Sequence, residues 1–107
     1  MTRVSILYPN HDDSWFDVSY YLENHMPMST KLLERQPGFK GVTVDLGLRG
    51  AMVGSKPPYI AMCHFLFSSV EDVHDAFAPH AATLQRDILN YTDVKPVIQF
   101  NQVLAAR

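Results

Sequence analysis

Five histidines are the groups in this 107-residue chain best suited to move protons near neutral pH, and His25 stands out among them. It follows Val18 by seven residues, Tyr21 by four and Leu22 by three. On a helix its ring therefore shares the apolar face of those side chains. A ring so placed points into the space between helix and sheet, where an imidazole can exchange protons with a small carbonyl or phenol. The ordinary alternative is a core histidine bonded to a backbone carbonyl. Tyr21 lies on the same face, and its hydroxyl could polarise a ligand oxygen. An aromatic core residue with a wet tip describes it equally well. Tyr8, at the end of the first apolar run, is a further hydrogen-bonding candidate.

The remaining polar candidates are less well placed. His64 shares a strand face with Ile60, Met62 and Leu66, so it lines the same pocket or lies in a subunit interface. Gln99 and Asn101, between Val97 and Val103, present amides to a ligand, pair across an interface or face water. Asp17 is placed to cap a helix. It is eight residues from His25, about 12 Å along a helix, too far to orient that ring. His74 and His80 are about 240° apart around a helix and make no ready metal pair. The His11-Asp12-Asp13 triplet reads as a solvated loop. There is no glycine-rich phosphate loop, nucleophile elbow or dinucleotide fingerprint, which argues against a nicotinamide-dependent reductase of the usual kind. The single cysteine, Cys63, excludes an internal disulfide and a multi-thiolate zinc site. It reads as an inert buried thiol.

The elements that must position these groups follow from periodicity. Residues 3–8 alternate as a short strand ended by Pro9-Asn10. A first helix is expected from near Ser14, with Asp17 completing a capping box, and it should stop before Pro37-Gly38. Pro27 predicts a kink or break near 25–28. Residues 41–49 alternate again, Gly50–Pro58 is a mobile connector, and residues 59–67 are apolar on both faces, as in a covered central strand. A second helix is expected from Ser68, with Glu71 completing its capping box and Pro79 implying a kink or a restart. Asn90–Asp93 make a turn, and residues 96–104 form the last strand. The order βαββαβ suits a ferredoxin-like α+β fold with both helices on one face of an antiparallel sheet. Its other face keeps apolar residues, for which a second copy of the chain is the simplest cover.

Composition sets the outer bounds. The chain is 47% hydrophobic and 19% charged, with a net charge of -2, which fits one domain over residues 1–107. No basic cluster favours nucleic acid or an anionic membrane. Residues 1–8 lack a secretory pattern, and no apolar run is long enough to span a bilayer. A cytoplasmic protein is expected.

Two segments carry a family resemblance. Phe16-Asp17, Tyr20-Tyr21 and His25-Met26-Pro27 resemble the first-helix signature of the EthD family. Asn90-Tyr91-Thr92-Asp93-Val94-Lys95-Pro96, followed by Gln99, resembles its second signature. The resemblance implies a dimeric α+β barrel, in which two ferredoxin-like subunits pair their sheets. It also implies an association with breakdown of fuel ethers and other xenobiotics, in relatives some of which are labelled reductases, and acid–base chemistry in fungal relatives. Three functions are consistent with it. One is a cofactor-free acid–base enzyme for a small, largely apolar molecule, with His25 and Tyr21 at the chemistry and Tyr8, His64 and Gln99 around the ligand. The second is a haem-binding enzyme using a histidine as axial ligand. The third is a non-catalytic accessory that binds a hydrophobic intermediate beside a monooxygenase.

Overall fold

A computed structural model describes all residues, 1–107. Strand β1 (Thr2–Pro9) leads into a first helical arm built from α1 (Val18–Tyr20), a π-helical turn (Tyr21–His25) and α2 (Met26–Leu33). Strands β2 (Phe39–Leu46) and β3 (Tyr59–Phe67) follow. A second arm has α3 (Val70–Phe77), a 3-10 turn (Ala78–His80) and α4 (Ala81–Ile88), and β4 (Val97–Gln102) closes the chain. The sheet order is β2-β3-β1-β4, and every neighbouring pair is antiparallel. This is the ferredoxin-like α+β arrangement expected from the element order.

Strand register settles which face meets the helices. Val4, Tyr8, Ala61, Cys63, Phe65 and Phe67 are buried under the helical arms with Leu33, Val73, Ala76 and Leu84. The alternate residues point the other way. Ser5 sits opposite His64 on one side and Gln99 on the other, and Leu7 sits opposite Met62 and Val97. The uncovered face is more mixed than the alternation suggested: β2 brings Gly41, Thr43 and Asp45 to it, opposite Leu66, His64 and Met62.

Three local expectations change. Ser14 does not cap the first helix; its Oγ accepts from the His11 backbone N–H at 2.8 Å. Residues up to Asp17 are instead drawn into extended pairing, with a bridge from Phe16 to Thr92 and a 2.7 Å bond from the Asp17 N–H to the Tyr91 carbonyl. Asp17 is the true cap, accepting from the Tyr20 N–H. The second cap moves by one residue: Ser69 accepts from the Asp72 N–H, while Ser68 turns toward the Gly38 carbonyl. The interruption near Pro27 is a widened turn, in which the Met26 N–H reaches the Tyr21 carbonyl five residues back. Pro27 then opens α2, where its missing N–H costs least. Pro79 lies in the 3-10 turn from which α4 restarts. The 50–58 connector is stitched by Gly50 N–H to the Ser55 carbonyl and by Ser55 to Met52. Met52 and Val53 are exposed, so neither anchors the connector to the core.

Candidate functional site

The widened turn places Tyr21 and His25 one above the other, with rings near parallel (15°) and centroids 5.9 Å apart. Tyr91, fully buried in the turn after α4, packs against His25 at 4.7 Å. Tyr8 comes up from β1 and meets Tyr21 and Phe16 edge to face. Its hydroxyl pairs with that of Tyr91 at 2.6 Å.

Asp87 of α4 completes the arrangement. Its Oδ2 lies 2.8 Å from His25 Nδ1. Its Oδ1 accepts from the Tyr20 hydroxyl at 2.7 Å and from the Asn90 amide at 3.0 Å. Partial burial alone would raise this carboxyl, but the donors Tyr20, His25 and Asn90 outweigh it and hold the group below its ordinary range. For His25 the balance runs the other way: burial lowers its pKa, and the opposing pull of Asp87 does not restore it. The ring is therefore neutral at pH 7, with its proton on Nδ1 donated to the carboxylate. Nε2 makes no hydrogen bond within the chain, yet is not sealed from solvent-sized molecules. Neutral His with an open nitrogen and a carboxylate behind it is the geometry of a general base.

Beside this pair lies a cavity of about 100 Å³ between the helical arms and the sheet. Twelve of its 16 lining residues are hydrophobic, so its walls suit an apolar molecule. Tyr8, Tyr21, His25, Ser29 and Gln85 supply its polar points. A wider cleft between α4 and β4 shares Gln85, Ile88, Pro96 and Ile98 with it and forms its outer approach. The Tyr21 hydroxyl is the one buried side-chain oxygen or nitrogen without a hydrogen-bond partner. Burial keeps that phenol protonated far above its ordinary range, and it pushes the Tyr8 phenol up to about 12. The Cys63 thiol, also pushed up to about 12 by burial, lies close enough to the Tyr21 hydroxyl to interact weakly with it, but the thiol is directed at Met26 Sδ at 4.0 Å and the hydroxyl keeps no full hydrogen bond.

Of the residues expected around a ligand, His25, Tyr21 and Tyr8 come together here. His64 and Gln99 do not, because both lie on the opposite face of the sheet. His64 Nδ1 is 2.8 Å from Ser5 Oγ, and its Nε2 is 3.8 Å from Asp45. Gln99 donates to Asn101, which donates to Ser5. Ser5, His64 and Asp45 thus imitate a nucleophile, base and acid in a row. Ser5 is mid-strand, between two paired neighbours, so the surrounding backbone donors are committed to the ladder and none can form an oxyanion hole. Asp87 escaped the reading of the sequence. Its signal was an acidic residue three positions after Leu84, on the buried stripe of its helix.

A haem does not fit this site. The Tyr21 and Tyr91 rings pack against the His25 ring, and no lysine or arginine lines the cavity to hold a porphyrin's propionates. No cluster of three or more metal-ligating side chains exists elsewhere, and no helix is long and apolar enough to cross a membrane.

The EthD domain model matches residues 13–95. An EthD-like protein from Ralstonia eutropha JMP134 is similar at 37% identity and a TM-score of 0.91, over 99% of this chain and 94% of that one. Two more distant structures share the fold. SnoaB, a cofactor-independent oxygenase from Streptomyces nogalater, aligns at 16% identity and a TM-score of 0.55, over 98% and 93% of the two chains. A dimeric protein of ferredoxin-like fold from Bacteroides fragilis NCTC 9343 aligns at 13% and 0.57, over 95% of each. No protein of curated function matches significantly.

Proposed function

The chain belongs to the EthD family, and from that premise we propose that it is a cofactor-free acid–base enzyme acting on a small, largely apolar molecule in the cavity between helices and sheet. The observation that carries this reading is the His25–Asp87 pair, with Nδ1 engaged and Nε2 open. His25 takes a proton from the ligand, and Asp87 offsets the charge that forms on the ring. Tyr21 is the hydrogen-bonding partner of the ligand. Tyr8, already paired with Tyr91, shapes the wall. Oxygen-bearing fragments left by the breakdown of ethers and other xenobiotics suit walls that are mostly apolar with a few polar points. Cofactor-independent oxygenation by SnoaB supports the view that this scaffold works without a resident cofactor.

The same reading includes a homodimer. The uncovered sheet face, with Leu7, Met62, Leu66 and Val97 around a polar centre, is the surface it would use, and the dimeric relative from Bacteroides fragilis supports it.

Nitrogen NMR of the labelled imidazoles tests the base directly. At pH 7 the His25 ring should carry its proton on Nδ1 alone, and adding indane, a flat apolar probe, should shift the Nε2 signal. A doubly protonated ring at pH 7 removes the base and with it this function.

A further inference from the structure

We propose that the ligand is a neutral carbonyl compound, recognised through a hydrogen bond from the Tyr21 hydroxyl to its oxygen. This rests on the reading of His25 as base and names the substrate class of the same site.

Tyr21 is only 2% exposed, lines the cavity and has no partner for its hydroxyl. A buried donor left unmade carries a desolvation penalty that nothing in the free protein repays. A ligand oxygen in the cavity would repay it. The ionisation state of the ligand follows from the surroundings. No lysine or arginine lines the cavity, and the carboxylate of Asp87 stands directly behind His25. An anion would enter without a counter-charge and beside a like charge, which disfavours carboxylates and phosphates. Away from the solvent-exposed Gln85 amide, the buried end of the cavity offers one donor, Tyr21 O–H, and one acceptor, His25 Nε2. Both side chains line the same cavity with ring centroids 5.9 Å apart, within the span of one small molecule.

A carbonyl with a C–H on the adjacent carbon matches that pair. Nε2 takes the proton as the C–H bond breaks. The bonding electrons form the carbon–carbon double bond, and the carbonyl π electrons move onto oxygen. The resulting enolate oxygen receives the Tyr21 hydrogen bond, and the imidazolium is balanced by Asp87. Return of the proton to carbon closes the cycle with no oxidant or reductant. An ether offers an acceptor but no acidic proton, and a hydrocarbon offers neither.

The test compares 2-indanone with indane, which has the same ring skeleton but no oxygen. Binding is followed by ligand NMR, and exchange of the protons beside the carbonyl is followed in deuterated buffer. Wild-type protein should bind both and speed the exchange above the buffer rate. Tyr21→Phe, which keeps the ring and deletes only the unpaired hydroxyl, should fold and bind indane as before while losing up to about tenfold in affinity for 2-indanone. His25→Gln should keep ketone binding and lose about 100-fold of the exchange. Equal weakening of both probes by Tyr21→Phe, or of neither, overturns the recognition. Exchange that needs His25 but ignores Tyr21 would sink this inference and leave the base standing. Ketone binding that needs Tyr21, with no exchange in the wild type, would uphold the recognition and sink the base.

Discussion

A histidine–aspartate pair lies on each side of the sheet. On the helix side, His25 and Asp87 are 2.8 Å apart, with side chains 9% and 15% exposed. On the open side, His64 and Asp45 are 3.8 Å apart, with side chains 23% and 65% exposed. The residue types are the same and the settings are not. Asp87 is fixed by Tyr20 and Asn90 as well as by His25, and the ring it holds is desolvated, stacked on Tyr21 and met at a tilt by Tyr91. Asp45 reaches water on its edge strand, where an ion pair is worth little. Proton chemistry therefore follows from the packing around a pair rather than from the pair itself.

The comparison can be broken most severely through neighbouring residues of β3 that point to opposite faces. Phe65 is buried against Phe39 and Phe77. Phe65→Ala should cost about 3–5 kcal/mol of stability, read by urea denaturation. Leu66→Lys, one residue on and on the open face, should spare the core and convert the proposed dimer to a 12.1 kDa monomer in sedimentation equilibrium. A wild-type protein already monomeric at micromolar concentration would remove the second half of this contrast.

The two aspartates come next. Asp87→Asn should cost about 1–3 kcal/mol, because it weakens three hydrogen bonds around a mostly buried group. It should also lower the His25 pKa further, since it deletes the interaction that raises it. Asp45→Asn should change stability by no more than about 1 kcal/mol. Equal losses at the two sites, measured by denaturant midpoint and imidazole titration, would mean that burial does not separate them.

The smallest effect is a pH slope. His25 has a lowered pKa in the folded state, so the unfolded chain binds its proton more tightly. Stability is then full above about pH 6.5, the unfolded value, and declines as pH falls from there toward the folded value. Asp87, also lowered, adds a separate loss at pH values below the ordinary 3.8. Urea midpoints should therefore fall between pH 7.5 and 5.5, and His25→Gln should flatten that segment. A slope that survives the substitution would belong to another group.

Much of this molecule was legible before folding was considered. Alternation in residues 3–8 and 41–49, the apolar run 59–67, and helical spacing from Val18 to Leu32 determined the element order and the ferredoxin-like class. The spacing of Tyr21 and His25 determined that they share a face. The two signatures determined the family. These are local properties, written in periods of two or about 3.6 residues. Tertiary structure decided the rest. A strand apolar on both sides does not announce which side the helices will cover, so His64 and Gln99 could be assigned to the pocket or away from it with equal warrant. Only the crossover of the two helical arms removed them. Asp87 is 62 residues from His25, and no periodicity links positions so far apart. Their contact exists because both arms return to the same face of the sheet. That packing then desolvates the ring and leaves the Tyr21 hydroxyl without a partner, two properties that depend on three-dimensional surroundings and on no spacing along the chain.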